Sequence, residues 1–591
     1  MQEAAVVLSV LRERGRKGLP LTQLYRQMFS KNLYLLAYGN IYSNQGAMTP
    51  GASEETADGM SEDKIDQIIE LMRYERYRFS PARRIYIPKK NGKLRPLGLP
   101  SWSDKLVGEV VRLLLEAYYE PQFPDQSHGF RKGRGCHTAL REIRNTWVGT
   151  TWFIEGDISD CFGSLDHEIM VKILAETIHD QRFLRLIRHM LKAGYLEDWE
   201  YRDTLSGIPQ GGVVSPVLSN IYLNKLDEFV ERDLIPRYTR GASRARNPEY
   251  MRTRNRRDSA RRHGDRAAAR DLTRQMRTLP SIDPMDPGYR RLRYIRYADD
   301  HILGFTGPKA EAEQIKAELT RFLRETLRLE LNQDKTLVSH ARSQPARFLG
   351  YHIIVQHCDT RITYGRRSAN GRIALRVPPD VIKAKIVPCR RRGKPWHRPG
   401  LQNLDDYDIV RIYGAEYRGV TGYYLLAQDV WRLGTLCWYA QTSMLKTLAA
   451  KHKSSVAKMA ARYKAKVITG HGPRTCFEAR RHREGKKDLV ARFGGIPLRQ
   501  DRRAVIRDPA PARIGHPRKE LVHRLLKRAC ELCEHGTTVA VHQVAALKRL
   551  GKPGPGQPAW AALMVKMRRK TLIVCADCHA WIHANPVAHA A

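Results

Sequence analysis

The tetrad Tyr297-Ala298-Asp299-Asp300 constrains this chain more than any other segment. It lies between Arg293-Tyr294-Ile295-Arg296-Tyr297 and His301-Ile302-Leu303-Gly304-Phe305, flanks that alternate or run apolar. Such flanks suit two short strands and put Asp299 and Asp300 at the turn between them. Carboxylates at a hairpin tip can face hard cations without being buried unpaired. Mg²⁺ keeps several waters and takes one or two carboxylates together with substrate phosphates. Two such ions can clamp the attacking and leaving oxygens of a phosphoryl transfer. Turns also carry Asp for conformational reasons alone, so the isolated tetrad fits either reading.

The rest of the chain decides between them. In Trp152-Phe153-Ile154-Glu155-Gly156-Asp157-Ile158-Ser159-Asp160-Cys161-Phe162 an apolar strand delivers Asp157 at its end, and Phe162 follows. Further blocks are Ile87-Pro88-Lys89-Lys90-Asn91-Gly92-Lys93-Leu94-Arg95-Pro96-Leu97, Ser127-His128-Gly129-Phe130-Arg131 and Gly207-Ile208-Pro209-Gln210-Gly211-Gly212-Val213-Val214-Ser215-Pro216. Asn332-Gln333-Asp334-Lys335-Thr336 and Phe348-Leu349-Gly350-Tyr351 come after the tetrad. In this order the blocks resemble the fingers and palm of a reverse transcriptase, specifically of the group II intron-encoded maturase family. The resemblance implies Mg²⁺ bridged by Asp157 and Asp299, with Asp300 supporting and the Ile158 carbonyl as an extra ligand. It places Lys93 and Arg95 on the triphosphate, Arg95 the firmer of the two. It puts Phe162 beneath the sugar, where a bulky ring excludes a 2′-hydroxyl, Gln210 in the nucleotide pocket and Lys335 nearby as added positive charge. From the residues alone, Phe162 and Gln210 would be ordinary core and loop packing.

Composition agrees with a polyanionic partner. The 591 residues include 103 Lys+Arg against 61 Asp+Glu, a formal net charge of +42. Charge on that scale repels itself unless a polyanion neutralises it. Nucleic acid is the natural partner, with strongly salt-dependent binding. A basic membrane-surface protein is disfavoured, because no lipidation motif occurs and the charge runs through the whole chain. No apolar run reaches the roughly 18 residues of a membrane span. The start, Met1 to Leu8, lacks a basic stretch before its apolar patch, so no secretory signal is expected. A cytoplasmic, bacterial setting is the expectation, with use at the nucleoid.

The expected fold class is multidomain α+β. Residues 1–80 read as a helical extension of the fingers, with apolar spacing near 3.6 in Leu21–Leu36 and Ser61–Tyr77 and a helix start at Ser61-Glu62-Asp63-Lys64. Residues 81–365 are the fingers and palm of a right-hand polymerase. They are interrupted at 237–280 by an Arg-rich insertion that cannot bury much apolar surface. That insertion is either a solvated helical face or, as charge balance favours, an RNA-contacting arm. Residues 366–402 read as a Pro/Gly/Arg linker. Residues 403–463 are helical and resemble the family's thumb, or X, domain. Their apolar stripe from Ile409 to Leu425 is core, and the Lys451-His452-Lys453 side is the RNA contact. Residues 464–525 form a basic region, which the resemblance assigns to target DNA.

Residues 526–591 carry Cys530-Glu531-Leu532-Cys533 and Cys575-Ala576-Asp577-Cys578. Paired knuckles of this kind in a reducing compartment indicate a structural tetrahedral Zn²⁺. The second knuckle runs into His579-Ala580-Trp581-Ile582-His583, whose two histidines share a helix face. With His542 in the gap, the segment resembles the HNH nuclease domain, a ββα unit with its own divalent ion. That implies a second metal on His542, His579 and His583. The family pattern has an acid, a hydrophobic residue and two adjacent histidines, but here Ala540-Val541-His542-Gln543 stands. Gln543 replaces the general base, so the fold and zinc are expected to persist and cleavage to be weak.

The leading expectation is an intron-encoded reverse transcriptase and maturase that acts on a group II intron RNA, target DNA and deoxynucleotides by target-primed synthesis. A splicing cofactor with a decayed polymerase is disfavoured by intact Asp157, Asp299 and Asp300. A dedicated endonuclease is disfavoured by Gln543.

Overall fold

The computed structural model describes residues 2–591 except 89–91, 93, 198–199, 203–206, 208–211, 285, 333–335, 359–360, 364–365, 368, 507–518, 537, 552–556 and 588–591. Lys93, Gln210 and Lys335 therefore lie outside the described residues.

Helices Gln2–Arg16, Lys31–Ile41 and Glu62–Arg73 build the N-terminal region. The third begins where the sequence places it: the Ser61 hydroxyl accepts the Lys64 N–H at 3.2 Å, satisfying one of the free donors of the first turn. The Leu21–Leu36 periodicity does not make one helix. A 3₁₀ turn, Tyr25–Phe29, ends at Ser30 in extended backbone before Lys31–Ile41 begins. The Tyr25 N–H is drawn away to the Asp180 carboxylate at 2.7 Å.

The palm is a five-stranded sheet in the order Val338–His340, Trp152–Gly156, Asp300–Thr306, Arg291–Tyr297, Ser127–His128. Its centre is the hairpin foreseen around the tetrad, paired from Arg291↔Thr306 to Tyr297↔Asp300. Both faces of this hairpin are covered, which is why Ile295 and Arg296 are buried side by side. Arg296 is fully buried and forks onto Asp227, with Nε to Oδ1 at 2.8 Å and Nη2 to Oδ2 at 2.5 Å. Its remaining N–H groups reach Asn220 Oδ1, Ser127 Oγ and the Ala298 carbonyl at 3.1, 2.7 and 2.9 Å. Burial opposes the charge on Arg296, but Asp227 outweighs it and the guanidinium is held more firmly protonated than usual. The fingers sheet runs Leu94–Leu99, Ala82–Pro88, Tyr195–Glu197, Glu200–Arg202.

The Arg-rich insertion folds as a helical hairpin, Pro248–Arg262 and Arg266–Thr278, capped by Asn247 and Asp265. Only Thr253, Ala269 and Met276 are buried along these two helices. The hairpin's ends meet at the Arg246–Ile282 bridge.

Residues 366–402 are not an open connector. Ile373–Arg376 pairs with Tyr351–Val355, and helix Pro379–Ile386 buries Ile382 and Ile386 in the thumb core. The Pro and Arg content hid short elements whose apolar residues are spaced too sparsely to read. Helices Asp406–Tyr423, Gly434–Lys451 and Val456–Tyr463 follow. Ile409, Tyr413, Tyr417 and Tyr424 are core, as their spacing suggested. Lys451 and His452, assigned to the RNA side, both contact Asp406, at 2.7 and 2.9 Å. The basic 464–525 region contains a three-stranded antiparallel sheet, Lys464–Thr469, Gly472–Arg483, Lys486–Gly494. This sheet lies on helix Asp406–Tyr423 so closely that a Cβ at Gly414 would meet the Arg492 carbonyl oxygen at 2.1 Å.

The C-terminal unit is built on two strands and a helix, Val539–Gln543, Thr571–Cys575 and Ala576–Ala584, with helix Ala559–Met567 between the strands in sequence. A third strand, Met60–Ser61 of the N-terminal region, pairs with Val541 and Ala540. Leu521, Val522, Leu525, Val541 and Ile573 join the same core as the N-terminal helices. No described helix is long and apolar enough to cross a membrane.

Removing one partner of a buried ion pair strands the other charge. Arg296→Ala should therefore lower stability by about 3–5 kcal/mol in denaturant titration. Arg296→Met with Asp227→Leu should recover much of that loss. A single variant as stable as the parent would contradict the network's role.

Candidate functional site

Strand Trp152–Gly156 ends immediately before Asp157, and the neighbouring strand begins at Asp300. The two strands are paired through Gly156↔His301, so Asp157 and the hairpin tip emerge at the same end of the sheet. Gly156 is obligatory in this register, since an added Cβ would fall 2.0 Å from His301 Nε2. The His301 ring is buried, and burial depresses its pKa to about 4, so it is neutral beneath the carboxylates.

The turn itself is two residues, Ala298-Asp299, so Asp300 does not lie in the turn as the sequence pattern suggested but opens the returning strand; Ala298 has φ 53°. Positive φ matches the twist of a tight hairpin but is costly for a residue with a Cβ. Contacts on both sides hold it there. The Ala298 N–H donates to the His128 carbonyl at 2.9 Å, and its carbonyl accepts from Arg296 at 2.9 Å. Gly129, at φ 85°, lets the chain pass beneath, because a Cβ there would lie 2.9 Å from the Ala298 nitrogen.

Asp299 has a raised pKa, first because it is largely buried and next because Asp157 repels it; Arg95 and Arg296 pull the other way. A carboxylate pair of this kind is stabilised by cations. Asn332 N–H donates to the Asp157 carbonyl at 2.8 Å and Ser159 N–H to the Glu330 carbonyl at 2.8 Å. These bonds flank the Ile158–Leu331 bridge, so the Ile158 carbonyl is not used by it. Arg95 stands exposed on strand Leu94–Leu99. Phe162 is half-buried in the short helix Cys161–Ser164, with its ring edge-on to Phe130 at 6.5 Å.

Cys530, Cys533, Cys575 and Cys578 converge with their sulfurs within 4.8 Å of one another, and none forms a disulfide. Cys533 and Cys575 are 3.8 Å apart. The edge of a tetrahedron with Zn–S bonds of about 2.3 Å is also about 3.8 Å, so the set fits zinc. Burial works against ionising Cys530, but backbone N–H groups of Cys533, Cys575 and Leu532 bring its pKa down to about 6. That poises a thiolate for metal.

His542, His579 and His583 also converge, as the sequence suggested. Asp58, from the N-terminal region, sits among them, 3.2 Å from His542 Nδ1, 3.4 Å from His579 Nε2 and 2.9 Å from His583 Nε2. Burial would raise the Asp58 pKa, but His542 and His579 overcome this and it lies well below the ordinary carboxylate range. Sequence reading missed Asp58, since Ala57-Asp58-Gly59 looks like any turn. It also missed Arg296, Asp227, Asn220 and Ser127, whose partners are distant in the chain. Gln543, at the expected base position, is engaged: its backbone N–H donates to Asp58 Oδ1 and its side-chain amide to the Tyr42 carbonyl, both at 2.7 Å.

Three segments of the chain match known protein families. Residues 87–251 match the family model described as reverse transcriptase (RNA-dependent DNA polymerase). Residues 379–494 match type II intron maturase, and 530–579 match AI2M/AI1M-like, HNH endonuclease. The group II intron-encoded protein LtrA of Lactococcus lactis subsp. cremoris is 38% identical over 603 aligned residues, covering 98% of this chain and 99% of that protein. An uncharacterized 91 kDa protein in the cob intron of Schizosaccharomyces pombe is 34% identical, over 95% of this chain and 70% of its own length. A putative COX1/OXI3 intron 1 protein of Saccharomyces cerevisiae is 30% identical, over 94% and 68% respectively.

The Gly156–His301 contact makes a compensated test. Gly156→Ala should push the two strands apart and cut primer extension on the order of a hundredfold, the scale of an ångström misplacement. RNA retention on filters should be unchanged. Adding His301→Ala should restore part of the rate, and no recovery would mean that the crowding is not the cause.

Proposed function

The chain belongs to the group II intron-encoded proteins, an RNA-directed DNA polymerase joined to an intron maturase, and from that premise we propose how its residues divide the work. Asp157 and Asp299 hold the two polymerase Mg²⁺ ions, with Asp300 and the Ile158 carbonyl completing the set. The observation that carries this reading is the convergence of two mutually repelling carboxylates, one of them largely buried, at the end of the palm sheet. Bound there, Mg²⁺ supplies the positive charge that activates a 3′-hydroxyl and stabilises the leaving pyrophosphate. The protein's own part is positioning. Arg296 and Gly129 fix the turn, neutral His301 adds no competing charge, and Arg95 approaches the triphosphate from the fingers. Lys93 and Lys335 add positive charge and Gln210 lines the nucleotide pocket. Phe162 lies beneath the sugar and excludes a 2′-hydroxyl.

The partners are a group II intron RNA, target DNA and deoxynucleotides, in a bacterial cytoplasm and at its nucleoid. Residues 1–80 extend the fingers, 81–365 are fingers and palm, 403–463 with the preceding 366–402 make the thumb, and 464–525 face DNA. Residues 526–591 are an HNH-like unit with a structural zinc on its four cysteines. Its cleavage is impaired, because glutamine cannot accept a proton at neutral pH and Gln543 is tied to Tyr42.

The exposed arginines of the 248–278 hairpin contact intron RNA. Arg252, Arg254, Arg256, Arg261, Arg262, Arg266, Arg270, Arg274 and Arg277 are open to solvent. Few acids oppose them, and the guanidinium fork suits phosphate.

Primer extension on an RNA template tests the polymerase assignments. Asp299→Ala should abolish synthesis with RNA affinity kept, and Phe162→Val should raise ribonucleotide use relative to deoxyribonucleotide. Near-normal synthesis by Asp299→Ala would refute the metal assignment, and an unchanged sugar ratio would refute the gate.

The hairpin can be excised at its bridged base, replacing 247–281 with a short glycine turn. Affinity for intron RNA should then lose part of its salt dependence, since each neutralised phosphate contributes about 0.7–0.9 to the log–log slope. Extension on a simple primer-template should persist. Identical slopes would reduce the hairpin to a solvated surface feature.

A further inference from the structure

We propose that Asp58, His542, His579 and His583 form a closed four-ligand site for a zinc-class divalent ion, and that this ion staples the C-terminal unit to the N-terminal helical region. The carboxylate comes from one end of the chain and the three imidazoles from the other.

The separations of Asp58 Oδ1 from two of the rings are near those of a coordination shell. Metal–nitrogen and metal–oxygen bonds of about 2.0–2.2 Å in a tetrahedron give edges of about 3.3–3.6 Å. Asp58 Oδ1 lies 3.2 Å from His542 Nδ1 and 3.4 Å from His579 Nε2, close to such edges, while Oδ2 makes a 2.9 Å hydrogen-bond contact with His583 Nε2. All four ligand atoms lie within 4.8 Å of one another.

His542 gives the second, independent sign. It is 5% exposed, and neither of its ring nitrogens has a hydrogen-bond partner. Its Nδ1 nevertheless faces Asp58 Oδ1 without hydrogen-bond geometry. A buried imidazole with both nitrogens unsatisfied costs free energy, and a lone pair directed to a metal removes part of that cost. The ring is fixed edge-on to Trp560 at 5.2 Å and lies 5.6 and 5.5 Å from the His579 and His583 rings. A purely ionic account would need Asp58 to balance imidazolium charge on rings that crowd one another. One carboxylate balances only one of them.

The ligand set selects the ion. Three imidazoles with one carboxylate suit zinc and its neighbours in the first transition row, whereas Mg²⁺ favours oxygen and retains water. The four-thiolate cluster is separate from it. Helix Ala576–Ala584 serves both, with Cys578 in its first turn on one cluster and His579 and His583 on the other.

The surrounding contacts present Asp58 as a fixed ligand. Gly59, at φ 74°, allows the turn, and its N–H donates to the Val541 carbonyl at 3.0 Å. Strand Met60–Ser61 then completes the C-terminal sheet, and Gln543 N–H holds Asp58 Oδ1. Arg528 pairs with Glu62 at 3.1 Å beside the junction.

A catalytic zinc site keeps a coordination position open for water, but a structural one is closed by protein. Asp58 fills the fourth position here. The site therefore joins two parts of the molecule and offers no place for an attacking water or a DNA phosphate.

The test uses the full-length protein, its metal content measured by mass spectrometry and its cobalt-substituted form by visible absorption. The parent should hold two tight equivalents. Asp58→Ala should keep the thiolate-bound equivalent and lose affinity for the other by more than the ~10–100-fold that loss of an outer partner costs. The d–d bands of its remaining nitrogen-bound cobalt should shift as water takes the place of the carboxylate. Cys533→Ser should instead weaken the thiolate-to-metal bands and spare the nitrogen site. Asp58→Cys supplies a signal that does not depend on the alanine variant folding: a new thiolate-to-cobalt band should be added to the parent spectrum. A second equivalent that survives Asp58→Ala with unchanged bands, or no added band in Asp58→Cys, would remove Asp58 from the shell and leave a three-histidine site. A single equivalent in the parent, unaffected by His579→Ala, would overturn the site altogether.

Discussion

The buried Arg296–Asp227 pair is the interaction on which the polymerase end of this molecule depends. All five guanidinium N–H groups are used. Two go to Asp227, and the others reach Asn220, Ser127 and the Ala298 carbonyl. Asp227 and Asn220 lie on helix Ser215–Phe229, Ser127 on the edge strand and Ala298 in the turn. One side chain therefore ties a helix, a strand and the aspartate-bearing turn together at fixed distances. Tyr294 joins through its hydroxyl, 2.8 Å from Asp227. Such a network specifies one arrangement, because any other leaves a charge in the core without a partner. The awkward backbone of Ala298 persists because its surroundings determine it from both sides.

What the sequence made legible was local. The hairpin, the strand-end aspartate and the cysteine knuckles each occupy a few consecutive residues, and short-range pattern carries their geometry. Arg296 was hidden for the opposite reason. Its strand is covered on both faces, so inward and outward residues do not separate by polarity. In Arg293-Tyr294-Ile295-Arg296 the fully buried arginine looks like the half-buried Arg293. Asp58 was hidden because its partners come nearly a chain length later. The stretch 366–402 looked like a linker because proline and arginine dominate its composition, yet Ile373, Leu375, Ile382 and Ile386 are enough to seat it. Lys93, Gln210 and Lys335 fall outside the described residues.

Net charge points to a polyanionic class of partner but does not say which basic residues are open to it. Several basic side chains are consumed internally: Arg112 by Glu109, Arg131 by Glu120, Arg290 by Glu311, and Lys451 by Asp406. Surplus positive charge is concentrated instead where acids are sparse and apolar burial is slight, above all on the two insertion helices. Asn247 and Asp265 cap these helices, and arginine is itself a good helix former, so an arginine-rich segment can be helical with little burial.

The sharing of one sheet between the two ends of the chain sets an order of events during synthesis. Tyr42 and Gln543, joined by a hydrogen bond, are 501 residues apart. At typical translation rates the ribosome needs on the order of tens of seconds to cover that distance. Through that interval helix Lys31–Ile41 and strand Met60–Ser61 wait with their later neighbours, Lys519–Leu526 and Val539–Gln543, not yet made. The beginning of the chain is thus a template that its own end comes back to complete. A premature stop late in the message would remove more than the last module. It would leave an apolar seam and an open strand edge on the oldest part of the molecule.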